Sequence, residues 1–314
     1  MKIHVIFVQE NWIIDRLGRK WREKNKNLLS NIEDCDIIWC MHRDELFKIP
    51  KKYLNKKIIT SIYHLVPSKI DSKKLKKFEF INKHTNLFHS MCSKTEIEMK
   101  NYFTKPIKTV NFWNDTKLWF EIKEKNELRK KYKIDNNSFI IGSFQRDTEG
   151  KGIKKNIFLP KLEKGPDIFV KSILILKKKY KNIKVLLAGW RRQYIMKELE
   201  KNNIKFYYFE RPNLTILNEL YNCLDLYIIG SRTEGGPRAI NECALTKTPL
   251  FSTNVGCSDT ICHPDSIFNI KKIKSILKCK HNVDFNYQKA LSYSIENYMG
   301  NFNKQLFGNT VISN

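Results

Sequence analysis

The residues best placed to do chemistry lie between Ser231 and Leu250, in SRTEGGPRAINECALTKTPL. Two carboxylates, Glu234 and Glu242, flank a glycine pair, Gly235-Gly236, and a proline, Pro237. Glycines without side chains let a ligand approach the backbone closely. The N–H groups of a helix's first turn favour an anion, and a phosphate is the natural guest. A carboxylate beside an anion site suits a ligand that also offers neutral hydroxyl donors. A nucleotide-sugar has both parts.

These residues need elements to hold them. The run DLYIIG, Asp225–Gly230, is apolar, partly β-branched and bounded by turn residues, and it predicts a buried strand. Pro237 suits the first position of a helix, and Ala239, Ile240, Cys243, Ala244 and Leu245 follow at helical spacing, with Pro249 as the stop. A further short strand is predicted over 250–255. The unit is strand, glycine turn, helix and strand, and in parallel α/β sheets ligands bind beyond the carboxyl ends of strands.

The same alternation runs through the chain. Strands are predicted over Lys2–Val8, Cys35–Cys40, Lys57–Ile62 and Leu87–Met91, then over Phe139–Phe144, Ile183–Ala188 and Ile204–Phe209. Helices are predicted from Gly165 and over 191–202, 213–224 and 237–248. The fold class is therefore α/β, and the break at NFWNDTKLWF, Asn111–Phe120, divides it. We expect a domain over residues 1–113, a second over 114–285, and a helical segment over 286–314 that crosses back toward the first. Gln145–Glu163 is long for a connection inside a domain, which suggests a lid or an acceptor wall.

Bulk composition narrows the function. The 314 residues hold no apolar stretch near the roughly 20 that a membrane helix requires. The opening MKIHVIFVQ lacks a cleavage pattern, and a cytoplasmic protein, peripheral at the membrane if it meets one, is expected. Eight cysteines show no C-x-x-C pair or zinc spacing, so no metal is expected. The net charge of +26 is diffuse: residues 1–113 carry 23 basic and 12 acidic side chains, +11, which leaves +15 for the rest. A lysine-rich solvated surface accounts for that spread. Affinity for nucleic acid remains an alternative.

The pair Glu234 and Glu242, with seven residues between them in EGGPRAINE, resembles the signature of glycosyltransferase family 4, glycosyl transferases group 1. KGPD at Lys164–Asp167, LLAG at Leu186–Gly189 and PLFSTNVG at Pro249–Gly256 follow the family's order. YHLVP, Tyr63–Pro67, resembles its first-domain histidine segment, and DTKLW, Asp115–Trp119, its interdomain motif.

The resemblance implies the GT-B fold, two Rossmann-like domains with a donor and acceptor cleft between them, and a retaining transferase that needs neither cofactor nor metal. It implies that Arg146 and Lys164 neutralise the donor diphosphate, Glu234 contacts the transferred sugar, Glu242 accepts from ribose hydroxyls, and His64 donates to sugar or phosphate. Glu234, His64, Arg146 and Lys164 form the implied catalytic set. Gly189, Arg211, Gly235, Gly236, Pro237 and Arg238 join Arg146, Lys164, Glu234 and Glu242 in the implied nucleotide-sugar site. The acceptor would be a hydroxyl on a glycan, a small molecule or a lipid-linked sugar.

Departures and alternatives stand beside this. The first strand leads into QENWIIDRLGRKW with a lone Gly18 instead of a glycine pair. Asp34-Cys35-Asp36 has the form of a metal-binding D-x-D, and its place before a strand predicts a turn. A nucleotide-sugar epimerase on the same fold, a nucleic-acid-binding protein and a DNA-modifying glycosyltransferase are the competing readings. Within Trp12–Ile32, residues Ile14, Leu17, Trp21 and Leu28 share one helical face among basic residues. That face would rest either on an anionic membrane or on the domain's own sheet.

Overall fold

The computed structural model describes residues 1–10 and 13–308 of the chain. Trp12 and the end of the 286–314 segment lie outside the described residues. The chain divides into two compact units: Met1–Trp113 together with the segment from Ile295, and Asn114–Ser294.

The first unit opens with β1 (Ile3–Ile6), α1 (Ile13–Lys24) and β2 (Ile37–Cys40), followed by β3 (Lys57–Ile62), α2 (Ser72–His84), β4 (Leu87–Ser90), α3 (Ser93–Met99) and β5 (Ile107–Thr109). Its five strands are parallel and lie side by side in chain order. Strand alternation sends Ile38, Cys40, Ile58, Ile62 and Phe88 into a core shared with Phe78 and Ile81 of α2 and Met99 of α3. Residues of the opposite parity, Trp39, Ser61 and His89, meet aromatic side chains instead. Trp39 lies edge-on to Trp21 of α1.

The second unit contains α4 (Lys125–Lys131), β6 (Phe139–Ser143), α5 (Pro166–Leu176), β7 (Ile183–Ala188), α6 (Gln193–Lys201), β8 (Phe206–Phe209), α7 (Leu214–Asn222), β9 (Leu226–Ile229), α8 (Arg238–Leu245), β10 (Leu250–Thr253), α9 (Ser258–Ile261), β11 (Ile267–Phe268) and α10 (Val283–Leu291). Its six strands are all parallel, in the order β11-β10-β9-β6-β7-β8. The chain thus winds outward from β6 in one direction, returns, and winds outward from β9 in the other. Strands buried on both faces read as continuous apolar runs. Leu226, Tyr227, Ile228 and Ile229 are all essentially inaccessible.

The chain ends its described course in α11 (Ile295–Phe307), which belongs to the first unit. Phe302 packs on Trp39, Phe112 and Trp113, and Asn303 accepts the Trp21 indole N–H at 2.7 Å. The expected boundary at 285/286 therefore differs from the observed one. It cuts α10, which packs with α8, and the unit boundary follows Ser294, where the turn between α10 and α11 interrupts a single amphipathic sequence pattern.

Three further points are local, and only the last departs from the sequence reading. The apolar face of α1 is not available to a membrane, because Ile14, Leu17 and Trp21 of the helix, with Leu28 beyond it, are buried in the first unit. Asp34–Asp36 is a turn: Asn31 accepts the Asp34 N–H at 2.8 Å, and Asp36 accepts the Lys2 N–H at 2.7 Å. Pro237 caps α8 rather than beginning it. All eight cysteines are buried and unbridged.

Candidate active site

In the second sheet the winding reverses between β6 and β9, and neighbouring strands feed loops that run in opposite directions there. A crevice opens outside their carboxyl ends, which makes this point the general ligand site of doubly wound sheets. β6 delivers Gln145 and Arg146, and β9 delivers Ser231 through Glu234. KGPD, which starts α5, completes the group.

Two glycines make this assembly possible. Gly165 has a φ of +62°, and a Cβ there would lie 1.8 Å from the Gly230 carbonyl oxygen. Only glycine lets the turn before α5 touch the end of β9 so closely. The contact is extended by hydrogen bonds, since the Glu163 carbonyl accepts the Arg232 N–H at 2.8 Å and the Thr233 N–H at 3.1 Å. Arg232 then pairs bidentately with Asp167, at 2.7 and 2.6 Å. Burial acts upward on the Asp167 carboxyl, but the Arg232 hydrogen bonds and charge outweigh it and hold it below the usual range.

The result is that Lys164 reaches Glu234. Its ammonium donates to Glu234 Oε1, which also accepts from Gln145 Nε2 at 3.2 Å. The Ser231 hydroxyl lies within 3.4 Å of the same oxygen. Glu234 is only 9% exposed. A buried carboxylate of this kind is tolerable because its charge is paired and hydrogen-bonded. Arg146 is half-buried beside Gln145 and has no acidic partner among the described residues. A cavity of about 420 Å³ lined by Ser231, Arg232, Thr253, Asn254 and Phe268 opens next to the turn.

Glu242 lies on α8, whereas Glu234 lies in the turn before the Pro237 cap, outside the helix. It is 7% exposed, so it is no surface residue. Tyr221, from α7, donates its hydroxyl to Glu242 Oε2 at 2.8 Å. The tyrosine ring is held by Trp119, Phe144 and Tyr227. The two glutamates are thus held by different elements and can serve different groups. Sequence reasoning did not single out Tyr221 or Gln145, because nothing in their own neighbourhoods marks them.

Other expected residues fall out as follows. Gly189 directly follows β7, and its carbonyl accepts the Tyr208 hydroxyl at 3.0 Å. Arg211 lies over the Trp190 ring at 4.7 Å, and Arg191 does so at 3.9 Å. Gly235 is buried, Gly236 half-buried, and both precede the Pro237 cap. Arg238 turns to the start of the second unit, where its guanidinium donates to Asn114 Oδ1 at 3.0 Å. Arg192, next to the expected loop, is fully buried and ion-paired with Asp147 at 2.6 Å. It also donates to the Ser143 and Ala188 carbonyls. Burial pushes the Asp147 carboxyl up, and the Arg192 charge opposes that push.

His64 belongs to the first unit, where it follows β3. Its carbonyl accepts from Arg43 at 3.3 Å, and its half-buried side chain neighbours Tyr63, whose ring stacks between His42 and Phe112. Burial, with Arg43 next in effect, lowers the His42 pKa to about 4.

Two parallel α/β units, one with a reversed winding order and paired charges at its switch point, define the class: a GT-B fold. Solved structures agree. HepE from Anabaena, in complex with UDP-glucose, superposes with a TM-score of 0.71 at 13% identity, covering 97% of each chain. Sucrose-phosphate synthase from Thermosynechococcus elongatus gives 0.68 at 10% identity, over 96% of this chain and 80% of that one. A glycosyltransferase from Rickettsia africae gives 0.62 at 15%, over 97% and 84%. No curated protein matches. The family model for glycosyl transferases group 1 matches residues 155–275, which include Lys164, Glu234 and Glu242 but not Arg146. The whole-chain likeness is thus one of fold, and residues 155–275 are similar in sequence to the glycosyl transferases group 1.

Proposed function

We propose that the protein transfers a sugar from a nucleotide-diphosphate-sugar to a hydroxyl acceptor, with retention at the anomeric carbon. The observation that carries this reading is the Lys164–Glu234 pair beside Arg146 at the switch point of the second sheet. Arg offers a planar fork of donors and Lys a compact charge, which suits a diphosphate. When the donor arrives, its phosphates compete with Glu234 for the Lys164 ammonium. Glu234, still held by Gln145, is then free to accept from a sugar hydroxyl. Glu242, oriented by Tyr221, accepts from the ribose.

Charge develops on the departing diphosphate in such a transfer, and fixed cations there stabilise it without reorganising. Arg146 and Lys164 supply those cations, so the chemistry calls for no metal. His64 is proposed to assist the donor from the first unit. The Anabaena protein was solved with UDP-glucose and with UDP, which makes uridine nucleotides the first donors to try.

The test is thermal unfolding with UDP, GDP, ADP, CMP and sugar conjugates, in buffer with a chelator. A ligand at a hundred times its dissociation constant raises stability by about 2.7 kcal/mol. One nucleotide should stabilise selectively, Glu242→Ala should weaken that effect, and Arg146→Ala and His64→Ala should lower turnover. Wild-type kinetics in Glu242→Ala and Arg146→Ala together would sink the site assignment. Stabilisation by duplex DNA alone would favour a nucleic-acid role instead.

A further inference from the structure

The chain between Arg146 and Lys164 folds as an anchored hairpin. Glu149 N–H donates to the Leu159 carbonyl at 2.9 Å, Lys161 N–H to the Asp147 carbonyl at 2.7 Å, and Thr148 bridges Pro160 in antiparallel fashion. Its base is fixed by the buried Asp147–Arg192 ion pair and by Thr148 Oγ1, which accepts the Tyr194 N–H at 2.8 Å. Its tip is a single turn of 3-10 helix, Ile153–Lys155, between Gly152 and Asn156 in left-handed conformations. A rigid base therefore presents a short tip to solvent.

The composition of this segment is unusual for an exposed surface. Ile157, Leu159 and Leu162 are 50%, 46% and 52% exposed, three large aliphatic side chains within six positions. Lys151, Lys154 and Lys155 are exposed and have no acidic partner among the described residues. The two acidic side chains of the segment beyond Asp147, Glu149 and Glu163, both face Lys161, at 3.9 and 2.6 Å. The segment thus carries unpaired cations at its tip and exposed aliphatic side chains from the tip down its returning arm.

We propose that this hairpin docks the protein on an anionic lipid surface, with Ile157, Leu159 and Leu162 at the headgroup and acyl boundary and Lys151, Lys154 and Lys155 against lipid phosphates. A single exposed leucine needs no explanation. Three exposed aliphatic side chains in one segment with unpaired lysines match what an anionic interface rewards, apolar burial and counter-charge together. A nucleic acid would attract the same lysines and leave the aliphatic side chains without a partner, because bases stack on aromatic rings. The proposal stands independently of the transferase reading, since lipid binding needs no nucleotide.

The experiment is sedimentation of the full chain with vesicles of phosphatidylcholine alone and of phosphatidylcholine mixed with phosphatidylglycerol. Binding is expected only to the anionic vesicles. Each lysine near such a surface is worth about fivefold, so Lys151→Gln/Lys154→Gln/Lys155→Gln should lower partitioning about a hundredfold. Ile157→Ser/Leu159→Ser should lower it about tenfold or more through lost apolar burial. The same charge removal elsewhere, Lys271→Gln/Lys272→Gln/Lys274→Gln, should change it by less than about threefold, because those exposed lysines have no exposed large apolar side chain among them. No binding to anionic vesicles overturns the proposal, as does equal loss in both lysine triples or full binding by the serine pair. If the hairpin variants change UDP affinity and leave vesicle binding untouched, the hairpin serves the nucleotide site and the proposal falls.

Discussion

Replacing Gly165 by alanine would test the contact on which the proposed donor site depends. The backbone there is left-handed, at φ +62°, which costs an L-residue about 1–2 kcal/mol. The added Cβ would meet the Gly230 carbonyl oxygen at 1.8 Å and its carbon at 2.5 Å. Neither is the end of a flexible side chain, so one backbone must shift against a packed core, for about 1–3 kcal/mol more. Gly165→Ala should therefore cost about 2–5 kcal/mol in all, combining strain and overpacking. The reciprocal change, Gly230→Ala, places its Cβ 2.9 Å from the Gly165 oxygen and 3.1 Å from Ile168, and should cost about 1–2 kcal/mol. Both changes push the same two segments apart, so the double variant should fall short of the sum by about 0.5 kcal/mol or more. Urea unfolding followed by far-UV circular dichroism reads all three. UDP binding should weaken in Gly165→Ala, because Lys164 moves with the turn. A cost below about 1 kcal/mol for Gly165→Ala, or strict additivity, would refute the reasoning.

Two further outcomes are expected. Tyr221→Phe removes the hydroxyl from a buried carboxylate oxygen, so stability should fall by about 1.5–3 kcal/mol and the protein should discriminate less between UDP and 2′-deoxy-UDP; calorimetric binding of both nucleotides checks this. The His89 ring is buried, bonded to Ser61 and to the Val110 carbonyl, and burial lowers its pKa from 6.5 to about 4. Its neutral form belongs to the fold, so the unfolded chain takes up more protons between those values. Stability is full above pH 6.5 and falls as pH drops toward 4, by about 3 kcal/mol for this residue, and His89→Gln should flatten that slope in pH-dependent urea titrations.

The α/β alternation was legible because its strands are short apolar runs between turn residues. β9 and β10 lie where the sequence places them, since Leu226–Ile229 and Leu250–Thr253 have no polar interruption beyond small hydroxyls. β5 and β11 were not legible. They have three and two residues, and no periodicity can be read from so few. The two glutamates and Lys164 stood out because glycines and strand ends mark them. The Arg192–Asp147 pair did not, because partners 45 positions apart look like surface charges until the fold brings them together. Tyr221 lies 21 positions from Glu242, on a helix whose sequence shows only an amphipathic pattern. The hairpin announced itself by length alone, since its anchoring depends on a partner from another loop.

The discontinuity of the first unit has a consequence for how the protein is made. Trp21 is closed over by Phe307 and bonded to Asn303, a residue 282 positions later. Trp39 and His89 also find an aromatic lid in Phe302. A ribosome therefore releases every strand of the first sheet long before the helix that seals it. The second unit, continuous from Asn114 to Ser294, can mature first, although it is synthesised later. Until α11 emerges, the earliest part of the chain carries an open aromatic face, and that interval is when the nascent protein is most exposed to aggregation.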